Sequence, residues 1–123
     1  MPAIEIYYKK KAKRIANLKL CKICQDALAN ACNQVINFKI VPTNISITLR
    51  KANKLDCGTP DIKFSIEISK EVSIGKQKEI CHAFIDSPVG RSCLRKKLIH
   101  YVKISNLMSP ELQIASDGTK NMV

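Results

Sequence analysis

The sequence predicts an α+β domain made by duplicating a β-α-β unit, with a four-stranded sheet and two helices on one face. Three observations carry this. Short runs alternate apolar and polar residues with the period of a strand, and they are separated by apolar spacings of three and four, the period of a helix. The two halves also echo one another. Pro2-Ala-Ile-Glu-Ile matches Pro60-Asp-Ile-Lys-Phe at an offset of 58, and Ile23-Cys24 matches Ile80-Cys81 at an offset of 57. A repeat of this length is one supersecondary unit copied once. The expected domain covers residues 1–115, with halves near 2–59 and 60–115, and leaves 116–123 as a tail.

The elements follow in order. Ala3 to Tyr8 is the first strand, with Ile4, Ile6 and Tyr8 on one face and Ala3, Glu5 and Tyr7 on the other. Asn17 is a suitable N-cap, because its side chain can accept from a free amide of the first turn. Leu20, Cys24, Ala27, Leu28, Ala31 and Val35 then trace one face of a helix. Pro42 closes the connection, and Asn44 to Arg50 alternates as a second strand. Cys57-Gly58-Thr59-Pro60 is a turn. Ile62, Phe64, Ile66 and Ile68 alternate through a third strand, Ile62 to Ser69. Ser73 caps a second helix running to about Asp86. Pro88 interrupts it, with a further helical turn over Ser92 to Lys97. Leu98 to Leu107 is a fourth strand, Ser109-Pro110 ends it, and the last dozen residues read as a tail. The uncovered face of such a sheet is expected to hold several apolar side chains and to invite oligomerisation.

Composition narrows the function classes. The chain has 123 residues, 46% hydrophobic and 25% charged, which suits one folded domain and excludes disorder or a low-complexity chain. No apolar run approaches the roughly 20 residues of a membrane span. The first residues do not read as a signal peptide, so a cytoplasmic location is expected. Twenty-one Lys and Arg against ten Asp and Glu give +11, an attraction for anions of any kind. The excess is concentrated in the first half, where 11 basic residues face 3 acidic ones. Nucleic acid is a poor fit to that charge: aromatics are 5%, Trp is absent, and no RNP-like or GxxG pattern occurs. The Lys9–Arg14 run and the Arg91, Arg95, Lys96, Lys97 cluster read as solvated charge. Six cysteines occur, and without a signal peptide they read as reduced thiols. Cys21-Lys-Ile-Cys24 has redox or zinc spacing, but it lies in a helical pattern with no second pair and with His82 and His100 far along the chain. No metal is expected there.

A duplicated β-α-β chain that opens with Met-Pro directly before a strand resembles the tautomerase superfamily, and within it the 5-carboxymethyl-2-hydroxymuconate isomerases. The resemblance covers roughly residues 2–115. It rests on Pro2-Ala-Ile-Glu-Ile, on Asp61-Ile-Lys-Phe-Ser-Ile-Glu-Ile-Ser, on Gly75-Lys-Gln-Lys-Glu-Ile-Cys and on Val102-Lys-Ile-Ser-Asn-Leu-Met-Ser-Pro-Glu-Leu. Each segment is weakly specific; their combination with length and element order carries the likeness.

The resemblance implies a homotrimeric isomerase of aromatic catabolism that needs no cofactor. It implies that the initiating Met is removed and that the freed nitrogen of Pro2 acts as general base on a small unsaturated keto or enol carboxylic acid. A secondary amine at the start of a buried strand is poorly solvated, which disfavours its protonated form and suits it to proton transfer near neutral pH. The family's carboxylate-binding arginines fall at Asn44, at the head of the second strand, and near Lys70, just before the second helix. Both positions are therefore expected to bind substrate. Neither residue is an arginine: Asn44 brings no charge, and Lys70 is a point charge in place of a bidentate fork. Lys11 or Arg50 could supply the missing cation.

Overall fold

The computed structural model describes residues 2–52, 60–68, 71–106 and 109–116. The strands are β1 (Ala3–Tyr8), β2 (Ser46–Lys51), β3 (Ile62–Ile68), β4 (His100–Asn106) and β5 (Ser109–Ser116). The helices are α1 (Leu18–Ile36), α2 (Ile74–Ile85) and α3 (Pro88–Arg95), with 3-10 turns at Lys10–Ala12 and Pro42–Asn44. The strands form one mixed sheet in the order β2-β1-β3-β4-β5. β1 pairs parallel with β2 and antiparallel with β3, and β3 pairs parallel with β4. The two parallel pairs are the two copies of the β-α-β unit, joined edge to edge through β1 and β3.

The local signals act as the sequence implies. Asn17 accepts from the Leu20 amide at 3.1 Å and opens α1. Ser73 accepts from the Lys76 amide at 3.3 Å and opens α2. Ile4, Ile6, Ile62, Phe64, Ile66, Ile68, Val102 and Ile104 are buried in one core cluster with Leu20, Cys24, Leu28, Ile80, Cys81 and Phe84 of the helices. Phe64 of the sheet meets Phe84 of α2 edge to face, with ring centroids 5.5 Å apart. Each such aromatic contributes about 1.5–3 kcal/mol by leaving water. Gln25 reaches across from α1 and donates to the Ile45 carbonyl at 3.0 Å, tying the helix to the start of β2.

Several expectations are corrected. The second strand starts at Ser46, not Asn44, because Pro42 nucleates a 3-10 turn that absorbs Asn44. Within the third strand's predicted span, Ser69 lies outside the described residues. The helical turn expected at Ser92 is α3 and begins at Pro88. Ser87 accepts from the Val89 amide at 3.2 Å as its N-cap, and proline costs nothing at a first helical position, where its missing N–H has no acceptor to lose. The first five of the last dozen residues, read as a tail, belong instead to β5, antiparallel to β4, while 117–123 lie outside the described residues. Pro110 is compatible with a strand there because it sits near the start of an edge strand. The predicted four strands thus acquire a fifth.

The uncovered face is also different from its expectation. Register places Glu5 between Thr48 and Ser65, and Ser65 beside Lys103. Lys63, Glu67, Arg50 and Ser105 share that face by the same alternation, so it is largely polar. Tyr7 is one of its aromatic members, and the Lys63 ammonium lies 5.4 Å from its ring centroid. The Ile, Val and Phe side chains of β1, β3 and β4 turn to the helices.

Candidate active site at the head of the first strand

β1 is flanked on both sides, so whatever precedes Ala3 is held at one end of the sheet. Pro2 is buried there. Its carbonyl accepts from the Ser46 amide at 3.3 Å, which extends the β1–β2 ladder by one bond. Opposite, β3 runs antiparallel and brings Glu67 level with Ala3, while Ser105 of β4 lies level with Glu67. The sheet topology therefore gathers the start of β1, the start of β2 and the ends of β3 and β4 at one edge.

On the uncovered face, at the same end of the sheet, lies a hollow of about 360 Å³ whose lining does not include Pro2. It begins one residue on, at Ala3, and its wall includes Glu5, Thr48, Glu67, Lys103 and Ser105. These side chains were not singled out as site residues. Their signal is in the sequence: they are polar members of strands whose other face is mostly apolar. Chemically the hollow offers hydroxyl donors, carboxylates and ammonium groups in one concave surface.

Asn44 closes the 3-10 turn before β2, is exposed, and donates its backbone N–H to the Val41 carbonyl at 2.9 Å. It is two residues from the Ser46 amide that holds Pro2, so chain connectivity keeps it near the same edge. Lys70 lies outside the described residues. Of the two substitute cations, Lys11 is committed elsewhere and Arg50 is paired with a wall residue of the hollow. Lys11 pairs with Asp61 at 3.8 Å, at the Tyr8 end of β1, opposite to Pro2. Arg50 pairs with Glu5 at 3.8 Å on the uncovered face.

The buried thiols offer no competing nucleophile. Burial pushes Cys32 up to about 11 and Cys81 and Cys93 up to about 12, and it raises Cys24 further still. A thiol without an accessible thiolate is inert. Among the described residues, no group of three or more His, Cys, Asp or Glu side chains could hold a metal ion. No helix among them is long and apolar enough to cross a membrane.

No family model matches this sequence, and no curated protein matches it. Solved structures do. A fused 4-OT wild-type asymmetric trimer superposes with a TM-score of 0.54 at 11% identity, over 85% of this chain and 85% of that one. Pt0534 inactivated by 2-oxo-3-pentynoate gives 0.52 at 12% identity, over 85% of each chain. A malonate semialdehyde decarboxylase inhibited by 3-bromopropiolate gives 0.50 at 13% identity, over 86% of this chain and 82% of that one. The chain therefore has the α+β tautomerase fold.

Proposed function

We propose that the protein is a cofactor-independent isomerase of the tautomerase type, acting on a small unsaturated keto or enol carboxylic acid, with Pro2 as its general base. The observation that carries this reading is Pro2 buried at the head of an inner strand of a tautomerase-fold sheet, bonded to the start of β2 and one residue before the polar hollow that begins at Ala3. The chemistry requires removal of Met1, which turns Pro2 from a tertiary amide into a secondary amine. That amine takes a proton from carbon or from an enol oxygen. The electron pair passes through the conjugated carbonyl, and the prolinium returns the proton to a different carbon. Atoms and charge balance without a cofactor.

Polar groups of the hollow stabilise the enolate as it forms. Asn44 and Lys70 contribute to carboxylate binding in this reading. With an amide and an ammonium in place of two guanidinium groups, binding of a dicarboxylate is weaker than two bidentate forks would give. Solved relatives of this fold include fused 4-OT trimers, and a homotrimer is proposed here too. A cytoplasmic place in aromatic catabolism, on a substrate like 5-carboxymethyl-2-hydroxymuconate, is the finer form of the proposal.

The test is intact mass of natively expressed protein, then ketonisation of phenylenolpyruvate by wild type and Pro2→Ala. Loss of Met1, with turnover that disappears in the variant, is expected. Retained Met1, or no turnover by the Met-free chain, overturns the catalytic role and leaves a member of the fold without this activity.

A further inference from the structure

The two basic segments of the sequence are far apart in the chain, yet the fold brings members of both to one cleft. It lies at the Tyr8 end of the sheet, opposite to Pro2, where the chain leaves β1 for α1 and where α3 leads into β4. The cleft encloses about 210 Å³. Its cations are Arg14 and Lys19 from the first segment and the start of α1, with Arg95 and Lys96 from the end of α3. Ile15, Leu20 and Ile23 provide apolar lining between them.

The electrostatics of this cleft are unbalanced. Among the described residues, none of the four cations is ion-paired, whereas Lys11, Arg50 and Lys76 each have a carboxylate. α1 has no acidic residue in its first turn, although the dipole of a 19-residue helix favours one there. The cap uses Asn17 on the Leu20 amide, which leaves the amides of Leu18 and Lys19 without an acceptor inside the helix. Cations, helix dipole and open amides all favour negative charge at the same place. Nothing in the cleft is aromatic, so it lacks the stacking surface that a single-stranded polynucleotide uses.

We propose that this cleft is a second anion site, which binds a small organic phosphate: the phosphate against Arg14, Arg95 and the α1 amides, the apolar body against Ile15, Leu20 and Ile23. The site is independent of Pro2, since the two lie at opposite ends of the sheet.

The experiment is calorimetric titration of the full chain with phenyl phosphate at low ionic strength, with amide shifts followed by NMR. Expected are saturable one-site binding, shifts centred on Leu18, Lys19 and Arg95, and weaker binding of inorganic phosphate. Arg14→Gln/Arg95→Gln should lose at least about tenfold in affinity, the range expected for charge-assisted bonds. Lys51→Gln/Lys78→Gln removes the same charge elsewhere and should change it less than about threefold, as screened distant charges do. Pro2→Ala should bind as wild type does. Thermal melts confirm that the variants fold, and Arg95→Gln alone serves if the double variant does not. Non-saturable binding, equal loss in both double variants, or inorganic phosphate binding as tightly as phenyl phosphate would overturn the proposal. So would a mixed-sequence oligonucleotide binding more tightly through Arg14 and Arg95, which would make the cleft a nucleic-acid surface.

Discussion

Gly90 sets the angle between α2 and α3, and replacing it with alanine tests that geometry. A Cβ built on Gly90 lies 1.8 Å from the Ile85 carbonyl oxygen and 2.9 Å from its carbon. Ordinary contacts begin near 3.4 Å, so more than an ångström of movement is needed. The obstacle is backbone at the end of α2, so no rotamer change removes it. Helix propensity pulls the other way, since alanine is favoured over glycine by about 1 kcal/mol in a helix interior. Overpacking against rigid surroundings costs about 1–3 kcal/mol and sometimes more. Here α3 must tilt away, and it carries Val89 and Cys93, both fully buried. A backbone clash this close lies at the upper end, about 3–4 kcal/mol, so after the propensity gain a net loss of about 2–3 kcal/mol is expected. With roughly 2.1 cal/mol/K of unfolding entropy per residue, a chain of this size loses about 4 °C per kcal/mol, or about 10 °C in Tm. Urea unfolding and thermal unfolding, both followed by circular dichroism, measure the two quantities. A variant as stable as wild type, or more stable by the propensity difference, would refute the reasoning. Because α3 also carries Arg95, phenyl phosphate affinity should fall with Gly90→Ala even where the protein remains folded.

Other perturbations have equally direct outcomes. Asn17→Ala removes the cap of α1 and should cost about 1 kcal/mol in chemical denaturation, while Asn17→Asp should retain most of it. Lys97 holds a φ of 55° between α3 and β4, so Lys97→Gly should stabilise by about 0.5–1 kcal/mol; a destabilised variant would show that its side chain matters more than its backbone. In a Cys57→Ser background at pH 8, Ellman's reagent should spare Cys24, Cys32, Cys81 and Cys93 in the native protein and label all of them in urea, with labelled sites read by mass spectrometry. The same burial fixes a pH dependence. Folded-state values above the ordinary 9.0 mean that the thiols' contribution is intact below 9 and is lost as pH rises toward the values of about 11 and 12 for Cys32, Cys81 and Cys93. Stability measured from pH 8 to 11 should therefore decline, and serine at Cys32 or Cys81 should flatten the slope.

Much of this molecule was legible in the residues, for identifiable reasons. β1 and β3 alternate without interruption, because one face must enter the core, and the pattern survives any detail of packing. Asn17 and Ser73 announce their helices because a cap is a local bond. What was misread depended on proline and on distance. In the sequence Pro42 and Pro110 read as punctuation, yet one starts a 3-10 turn that removes Asn44 from β2 and the other lies at the start of β5. Pro88 does mark the break after α2, but Ser87 also makes it the first residue of α3, four residues before the helical turn expected at Ser92. The polar character of the uncovered face follows from the same alternation that revealed the strands, but it required knowing which strands lie side by side. At the site, Pro2 is where its place before β1 implied. The hollow of Glu5, Thr48, Glu67, Lys103 and Ser105 comes from four strands and exists only after the sheet is assembled. The basic cleft is likewise a product of folding, since neither segment alone differs from solvated charge.

The place of β1 has a consequence for synthesis. It leaves the ribosome before both of its neighbours, β2 and β3. At about 5–20 residues per second, several seconds pass before Ile62 and its strand can pair with Tyr8. Until then Ile4 and Ile6 have one bare backbone edge beside them, open to any extended chain that passes. The amphipathic α1 is complete well before that moment and can cover their side chains, but it cannot satisfy their amides. A nascent chain stalled after the first β-α-β unit is therefore the form most exposed to mispairing, and stalled-ribosome complexes at that length are where chaperone contact should be heaviest.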